Sequence, residues 1–298
     1  MRVISIIMTN LKAPFRGLGV AVVLFFFISS CKEVGPDINL HGNQNAIADT
    51  TYIESPVATA ENKNVLVEEF TGVRCPNCPQ GHVVIANIKT ANPNRVLSVS
   101  LHPQNSLGHP YSFSTQDFQN TKAQNLFDYL VQIGQEPAAG IDRKLFSGES
   151  FILLDKSLWS NYVTQQLTQT TPVNLLLSKN YDSTNHELTV IAEMHYTQSI
   201  TEENKLTLLL TESNIVSAQL NGWVIDTFYT HNDIMRDFIT DTQGDAITQT
   251  REAGRVVRKV YKKVLDAAWK PENVKILAFV GEYQNSKIVY QAKEIDVK

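Results

Sequence analysis

Residues 65–82 read "VLVEEFTGVRCPNCPQGH", from Val65 to His82. Val65, Leu66, Val67 and Phe70 make a short β-rich run that Thr71-Gly72 breaks. Cys75 and Cys78 follow as a C-x-x-C, with Pro76 and Pro79 beside them. From Cys78 the spacing predicts a helix over 78–91, with Val83, Val84, Ile88 and Ala91 on one stripe and Asn92-Pro93 as its stop. "RVLSVSLH", residues 95–102, reads as a second strand, and strand, helix, strand is the beginning of an α/β layer.

That setting gives the cysteines chemistry. A helix start presents unpaired N–H groups and the positive end of the macrodipole, which stabilise a thiolate at Cys75. Cys75 is then the attacking thiol and Cys78, one turn on, the resolving one. Arg74 is a further source of positive charge, and Pro76 suits an opening turn where its missing N–H is not needed. Two other readings stay open: a permanent structural disulfide, and a metal clip in which His82 with His102 or His109 completes Cys75 and Cys78.

"VLVEEFTGVRCPNC" resembles the thioredoxin-like proteins. The resemblance implies a cis-proline facing the cysteines, and Pro137 in "GQEPAAGIDR" is placed for it. Arg74 stands where that family usually has Trp. Glu136 precedes the proline where Thr or a small apolar residue is common, and a carboxylate there opposes a thiolate.

Further along, residues 115–133 suit one or two helices stopped by Gly134, "AAGIDRKLF" is a third strand, and residues 155–167 a further helix. Beyond Pro172 the texture becomes "VNLLLSKNYD", "ELTVIAEMHY", "KLTLLLTES", "VKILAFVGEY" and "KIVYQAKEIDV", short strands between polar breaks as in a β-sandwich. "NDIMRDFI" reads as a short helix or a loop. In "RVVRKVYKKVL" Val256, Val257, Val260, Tyr261, Val264 and Leu265 fit helical spacing better than alternation, but the neighbouring segments favour a strand, and it is read as a strand with a solvated basic face. The 298 residues include 43% hydrophobic and 19% charged side chains, with a formal net charge of −4. That is ample for a core and argues against a nucleic-acid partner. No nucleophile-elbow, phosphate-loop or zincin pattern is present, and no cofactor is expected.

At the N-terminus Arg2, Lys12 and Arg16 precede an apolar run over 18–28, about half the ~20 residues of a membrane-spanning helix. "FISSC" resembles a lipobox, so residues 1–30 read as a lipoprotein signal peptide and Cys31 as the lipidated residue that holds the chain to a membrane. Lys32-Glu33 is similar to a short surface-export signal. Residues 31–61 are polar and without periodicity, the mark of a flexible tether. With Cys31 acylated, Cys75 and Cys78 are the remaining pair of three cysteines.

These features together, with "PAAGIDR", "HNDIMRDF" and the closing "NVKILAFVGEYQNSKIVYQAKEIDV", resemble the Omp28-related outer-membrane lipoproteins of Bacteroidetes. The resemblance implies an α/β thioredoxin-like domain over 62–171, followed by an all-β sandwich over 172–298, on a lipid anchor in the outer membrane facing either the periplasm or the cell surface. The expected function is thiol–disulfide exchange at Cys75, Cys78 and Pro137 with a protein partner. The alternative is a surface binding protein or adhesin whose Cys75–Cys78 bridge is structural.

Overall fold

The computed structural model describes residues 45–130 and 135–298, all within one compact unit spanning His41–Lys298. The signal peptide, Cys31, Lys32-Glu33 and Gly134 lie outside the described residues. In chain order the elements are β1 Ala46–Ile53, β2 Val65–Phe70, α1 Cys78–Ala91, β3 Val96–Leu101, α2 Thr121–Leu130, β4 Ala138–Ile141, β5 Leu153–Asp155 and α3 Trp159–Leu167. Then come β6 Val173–Asp182, β7 Glu187–Tyr196, β8 Asn204–Glu212, β9 Ile215–Asn221, β10 Val224–His231, β11 Ile234–Phe238, β12 Asp245–Ala246, β13 Arg255–Val264, β14 Val274–Glu282 and β15 Val289–Asp296. No helix among the described residues is long and apolar enough to cross a membrane.

β2 and β3 are buried at every position, Glu68, Glu69, Ser98 and Ser100 included, as in strands covered on both faces. They lie parallel to each other, and β4 returns antiparallel beside β2. The sheet does not stop there. It runs β15-β14-β8-β11-β3-β2-β4-β5, with β12 paired to β8. A second sheet, β1-β13-β7-β6, packs face to face on it. Leu175, Leu188, Val190 and Met194 from this sheet share one core with Leu206, Leu208, Ile276 and Ala278 from the large one.

The expected fold class, an α/β thioredoxin-like domain followed by an all-β sandwich, is therefore corrected. The described residues hold fifteen strands and three α-helices. The strands assigned to an α/β layer are hydrogen-bonded into the same sheet as β8, β14 and β15. The sandwich part of the expectation is consistent with the packing of the two sheets. The join is β11, where Ile234 pairs with Ser100 of β3 on one side and Glu212 of β8 on the other. This is the segment "NDIMRDFI", a strand and not a helix or loop. Its buried Ile234, Met235 and Phe238 fill the space between the two halves. Part of the expected tether is also strand: β1 pairs with β13 along its length, although its side chains face solvent.

"GIDR" at the end of β4 is a knot of buried charge. Asp142 and Arg143 take left-handed φ values of 50° and 49°, which turn both side chains back into the molecule. Asp142 Oδ1 accepts the Leu66 N–H at 2.9 Å, Oδ2 meets Lys63 Nζ at 2.9 Å, and its carbonyl accepts the Val289 N–H at 2.8 Å. Burial pushes the Asp142 carboxyl up to about 6, against the pull of Lys63 and the Leu66 N–H. Arg143 donates to both oxygens of Glu68, at 2.7 and 2.6 Å, and its guanidinium lies over the Phe279 ring at 4.7 Å. One turn thus ties β2, β4, β14 and β15 together.

Candidate functional site

Cys75 and Cys78 form a disulfide, with an S–S distance of 2.09 Å and Cα atoms 5.4 Å apart. Cys78 is the first residue of α1, and Asn77 before it makes no side-chain cap. Two glycines allow the close packing on either side. A Cβ at Gly72 would stand 2.4 Å from the Leu107 carbonyl oxygen, so only glycine lets that loop pass. A Cβ at Gly81, one turn beyond Cys78, would stand 2.7 Å from Glu69 Oε1 and 3.2 Å from Pro137 Cβ. The Glu136–Pro137 peptide is cis. The structure thus brings Cys75, Cys78 and Pro137 to the same end of α1, with Glu69 beside them.

The bridge is covered. Cys75 is 1% exposed and Cys78 0%. The cover is the β9–β10 hairpin, a separate two-stranded ribbon. Leu220 donates its N–H to the Val73 carbonyl at 2.8 Å, and Gly222 to that of Pro76 at 2.9 Å. Gln219 Nε2 donates to the Gly72 and Cys75 carbonyls at 3.2 and 3.3 Å. The hairpin turns at Gly222 and Trp223, between the paired Asn221 and Val224, with Gly222 at φ 59°. Glycine at the first central position is the sequence signal for a two-residue hairpin turn of this kind.

Arg74 does not reach the sulfurs with its charge. Its guanidinium donates to the His109 and Pro110 carbonyls at 2.7 and 2.8 Å and lies 4.3 Å over the Tyr111 ring. Glu136 accepts a hydrogen bond from Asn105 at 2.6 Å, and burial raises its carboxyl, favouring the neutral form. The charge opposing a thiolate is thereby reduced.

A polar cluster lies under α1 beside the bridge. Glu69 is buried, and its carboxyl is raised well above the usual range, chiefly by that burial; the Ser100 hydroxyl opposes the shift, while Asp233 and Glu136 add to it. His82 shares hydrogen bonds with Thr71 Oγ1 at 3.0 Å and the Tyr229 hydroxyl at 2.7 Å, and stands 3.7 Å from Glu69. Burial, with His231 second, lowers His82 to about 4. Burial also lowers His231 to about 4 and His102 well below its ordinary value. Burial raises Tyr229 to about 12. In each of these groups burial favours the uncharged form.

The metal clip does not form in this state, because both sulfurs are in the bridge. His109 lies exposed in its loop and His102 packs on Phe118 at 5.3 Å. Among the described residues no three His, Cys, Asp or Glu side chains converge as a metal site. Sequence reading missed Glu69, Ser98, Ser100, Gln219, Tyr229 and His231. A signal for some of them was present: Ser98, Ser100 and His102 alternate with Leu97, Val99 and Leu101, which gives β3 one polar face although both faces are covered.

Residues 124–298 match the family model described as outer membrane protein Omp28, more than half of the chain. The chain belongs to the Omp28 family. The Omp28 match includes Pro137 and the β9–β10 hairpin, and begins after Cys75 and Cys78. No curated protein matches the sequence. Among solved structures, HBP35 of Porphyromonas gingivalis is similar in fold, with a TM-score of 0.63 at 19% identity, over 80% of this chain and 76% of HBP35. A protein of Agrobacterium tumefaciens aligns with a TM-score of 0.48 at 12% identity, over 81% of this chain and 97% of its own. A domain of the Porphyromonas gingivalis outer membrane lipoprotein Omp28 aligns with a TM-score of 0.31 at 14% identity, over 42% of this chain and 88% of that domain. Omp28 membership associates the chain with the outer membrane and makes it a protein of the cell envelope.

Proposed function

We propose that the protein is held to the outer membrane by a lipid on Cys31 and exchanges disulfides at Cys75 and Cys78 with a partner protein. The observation that carries this reading is the closed bridge at the opening of α1, with Pro137 and Glu69 packed on the next turn. In the reduced protein, the Cys75 thiolate attacks one sulfur of a partner disulfide. The partner's other sulfur leaves as a thiolate and takes a proton. Cys78 then gives up its proton and attacks Cys75 Sγ; the mixed disulfide breaks, the second partner sulfur leaves, and the Cys75–Cys78 bridge re-forms. Two electrons pass to the partner, and the reverse sequence oxidises a partner dithiol.

A second reading has its own observation. Both sulfurs lie under the hairpin, and Gln219, Leu220 and Gly222 hold it down. An inaccessible bridge suits a surface binding protein in which the disulfide is structural. Exchange requires the hairpin to lift, and its exposed Trp223 and Phe228 offer a partner a place to engage it.

The two readings separate on trapping. Reduced Cys78→Ser protein, offered insulin as a model disulfide, is expected to accumulate a mixed disulfide on Cys75 that cannot resolve. Cys75→Ser should form none at that position. If neither variant gives an adduct on a non-reducing gel while insulin disulfides remain available, the binding reading stands.

A further inference from the structure

The sheet face under α1 changes character along its length. Val65, Val67 and Val96 meet Ile85 and Ile88 at one end. At the other, the same alternation puts Glu69, Ser98 and Ser100 in buried positions. Burying polar side chains where valines would pack costs stability unless each is paired. Between this polar row, α1 and residues 229–234 lies a cavity of about 330 Å³.

Its two walls differ in charge. On one, Lys89 Nζ meets Asp233 Oδ2 at 2.5 Å, and Ser98 donates to the same oxygen at 2.6 Å. The Ser213 hydroxyl takes the Asp233 N–H at 3.0 Å, so this wall is internally satisfied. On the other, Glu69 is 1% exposed, and neither carboxyl oxygen has a hydrogen bond of full geometry. Both nitrogens of His231, deeper in the lining, are in the same condition. With His82 Nε2 3.7 Å away but held neutral by burial, this buried carboxyl at the wall of a cavity lacks a positive charge that would stabilise its ionised form.

We propose that this cavity binds a small organic cation, an ammonium or guanidinium group on a short apolar stem, with its charge against Glu69. Ile85, Ala86 and Ile234 supply an apolar wall for the stem. Tyr229, its ring 4.9 Å from that of His231 and 5.8 Å from that of His82, offers an aromatic face to the cation. An anion is disfavoured because Lys89 is already committed to Asp233 and Glu69 is acidic. A neutral ligand leaves the carboxyl without a charge partner.

Binding of a cation has a proton signature. The groups around Glu69 are His82 on its own side of α1, Ser100 on β3, Tyr229 and His231 on β10, Asp233 before β11, and Glu136 before β4. His82 and His231 stay neutral above about 4, so near pH 5.5 the group that responds to a cation is the Glu69 carboxyl, which burial holds toward its protonated form and which a bound cation draws toward the ionised one with loss of protons. The readout is heat and protons, and it involves neither sulfur, so it stands apart from the exchange reading.

The test is calorimetry of the purified protein at about pH 5.5 in two buffers of different ionisation heat, with n-butylammonium, n-butanol and butyrate as probes. Butylammonium is expected to bind with net proton release, and Glu69→Gln to weaken it about tenfold or more and abolish the release. Butanol binding as well as butylammonium, binding without proton release, or no binding up to about 10 mM butylammonium would each overturn the proposal. Proton release by the unmodified protein decides the matter even if Glu69→Gln does not fold.

Discussion

Replacing Arg143 by alanine is expected to lower the free energy of unfolding by about 3–5 kcal/mol, because it strands a buried charge. Glu68 and Arg143 side chains are 1% and 6% exposed, and the guanidinium supplies both hydrogen bonds to the carboxylate. Neither oxygen of Glu68 can turn to water once Arg143 is gone. The packing of the guanidinium on Phe279 is lost as well, loosening the contact between the β4 turn and β14. Removing both charges together is a different experiment. Glu68→Leu combined with Arg143→Met is expected to recover most of the loss, since well-packed apolar replacements of a buried ion pair are often neutral or stabilising. Urea unfolding of the single and double variants checks both statements, and an unchanged slope in urea shows that stability and not compactness has moved.

The second large effect is acid lability from buried imidazoles. His82 and His231 titrate near 4 in the folded protein against an ordinary value of 6.5. The unfolded chain therefore binds more protons between those values, so the stability these groups confer is complete above about 6.5 and is lost as pH falls toward 4. Each contributes roughly 3 kcal/mol of loss on that descent. Asp142 and Glu69 act in the opposite sense: their folded values are raised, so they favour the folded state as pH falls and cost stability as it rises. A difference measurement isolates the histidines. Between pH 7 and about 4, the native sequence is expected to lose several kcal/mol more than the His82→Gln, His231→Gln double variant, in which neutral amides stand for neutral imidazoles. Equal slopes for the two proteins would mean that these rings are already accessible to protons.

Much of the fold was legible where pattern and burial coincide. The apolar positions of "VLVEEF" and "RVLSVSLH" marked β2 and β3, and α1 runs over 78–91 as expected, but its buried line passes through Gly81, Ile85 and Ile88, while Val83 and Ala91 of the expected stripe face solvent. "RVVRKVYKKVL" is a strand, β13, as its neighbours indicated and against the helical spacing of its own apolar residues, because it is laddered between β1 and β7 with Val257 and Tyr261 buried in the sandwich. β1 was illegible for the opposite reason: its contribution is the backbone ladder to β13, and Ile47, Tyr52 and Ile53 remain exposed. β11 misled because "NDIMRDFI" has helical spacing, and the short gap between β3 and β8 that makes it a strand is a tertiary fact.

The candidate site divides in the same way. Cys75, Cys78 and Pro137 carried local signals, and the structure sets them at one end of α1. The cover over them did not announce itself, because nothing local tells which surface a hairpin lies on. Arg74 looked like a thiolate's neighbour in sequence and is instead spent on the His109 and Pro110 carbonyls. The buried carboxyl of Glu69 belongs to the penultimate residue of a strand read from its apolar positions, and only the tertiary packing leaves its oxygens without a hydrogen bond of full geometry.

Disulfide exchange requires the Cys75–Cys78 bridge to open and close in the folded protein. Equilibrating the purified protein in graded dithiol–disulfide buffers, and counting alkylated thiols by mass, gives its reduction potential. The expected midpoint lies within the exchange range of about −120 to −270 mV, with Cys75 alkylated before Cys78. A midpoint below about −300 mV, with both sulfurs unreactive until the protein unfolds, would contradict it and leave the bridge a structural one.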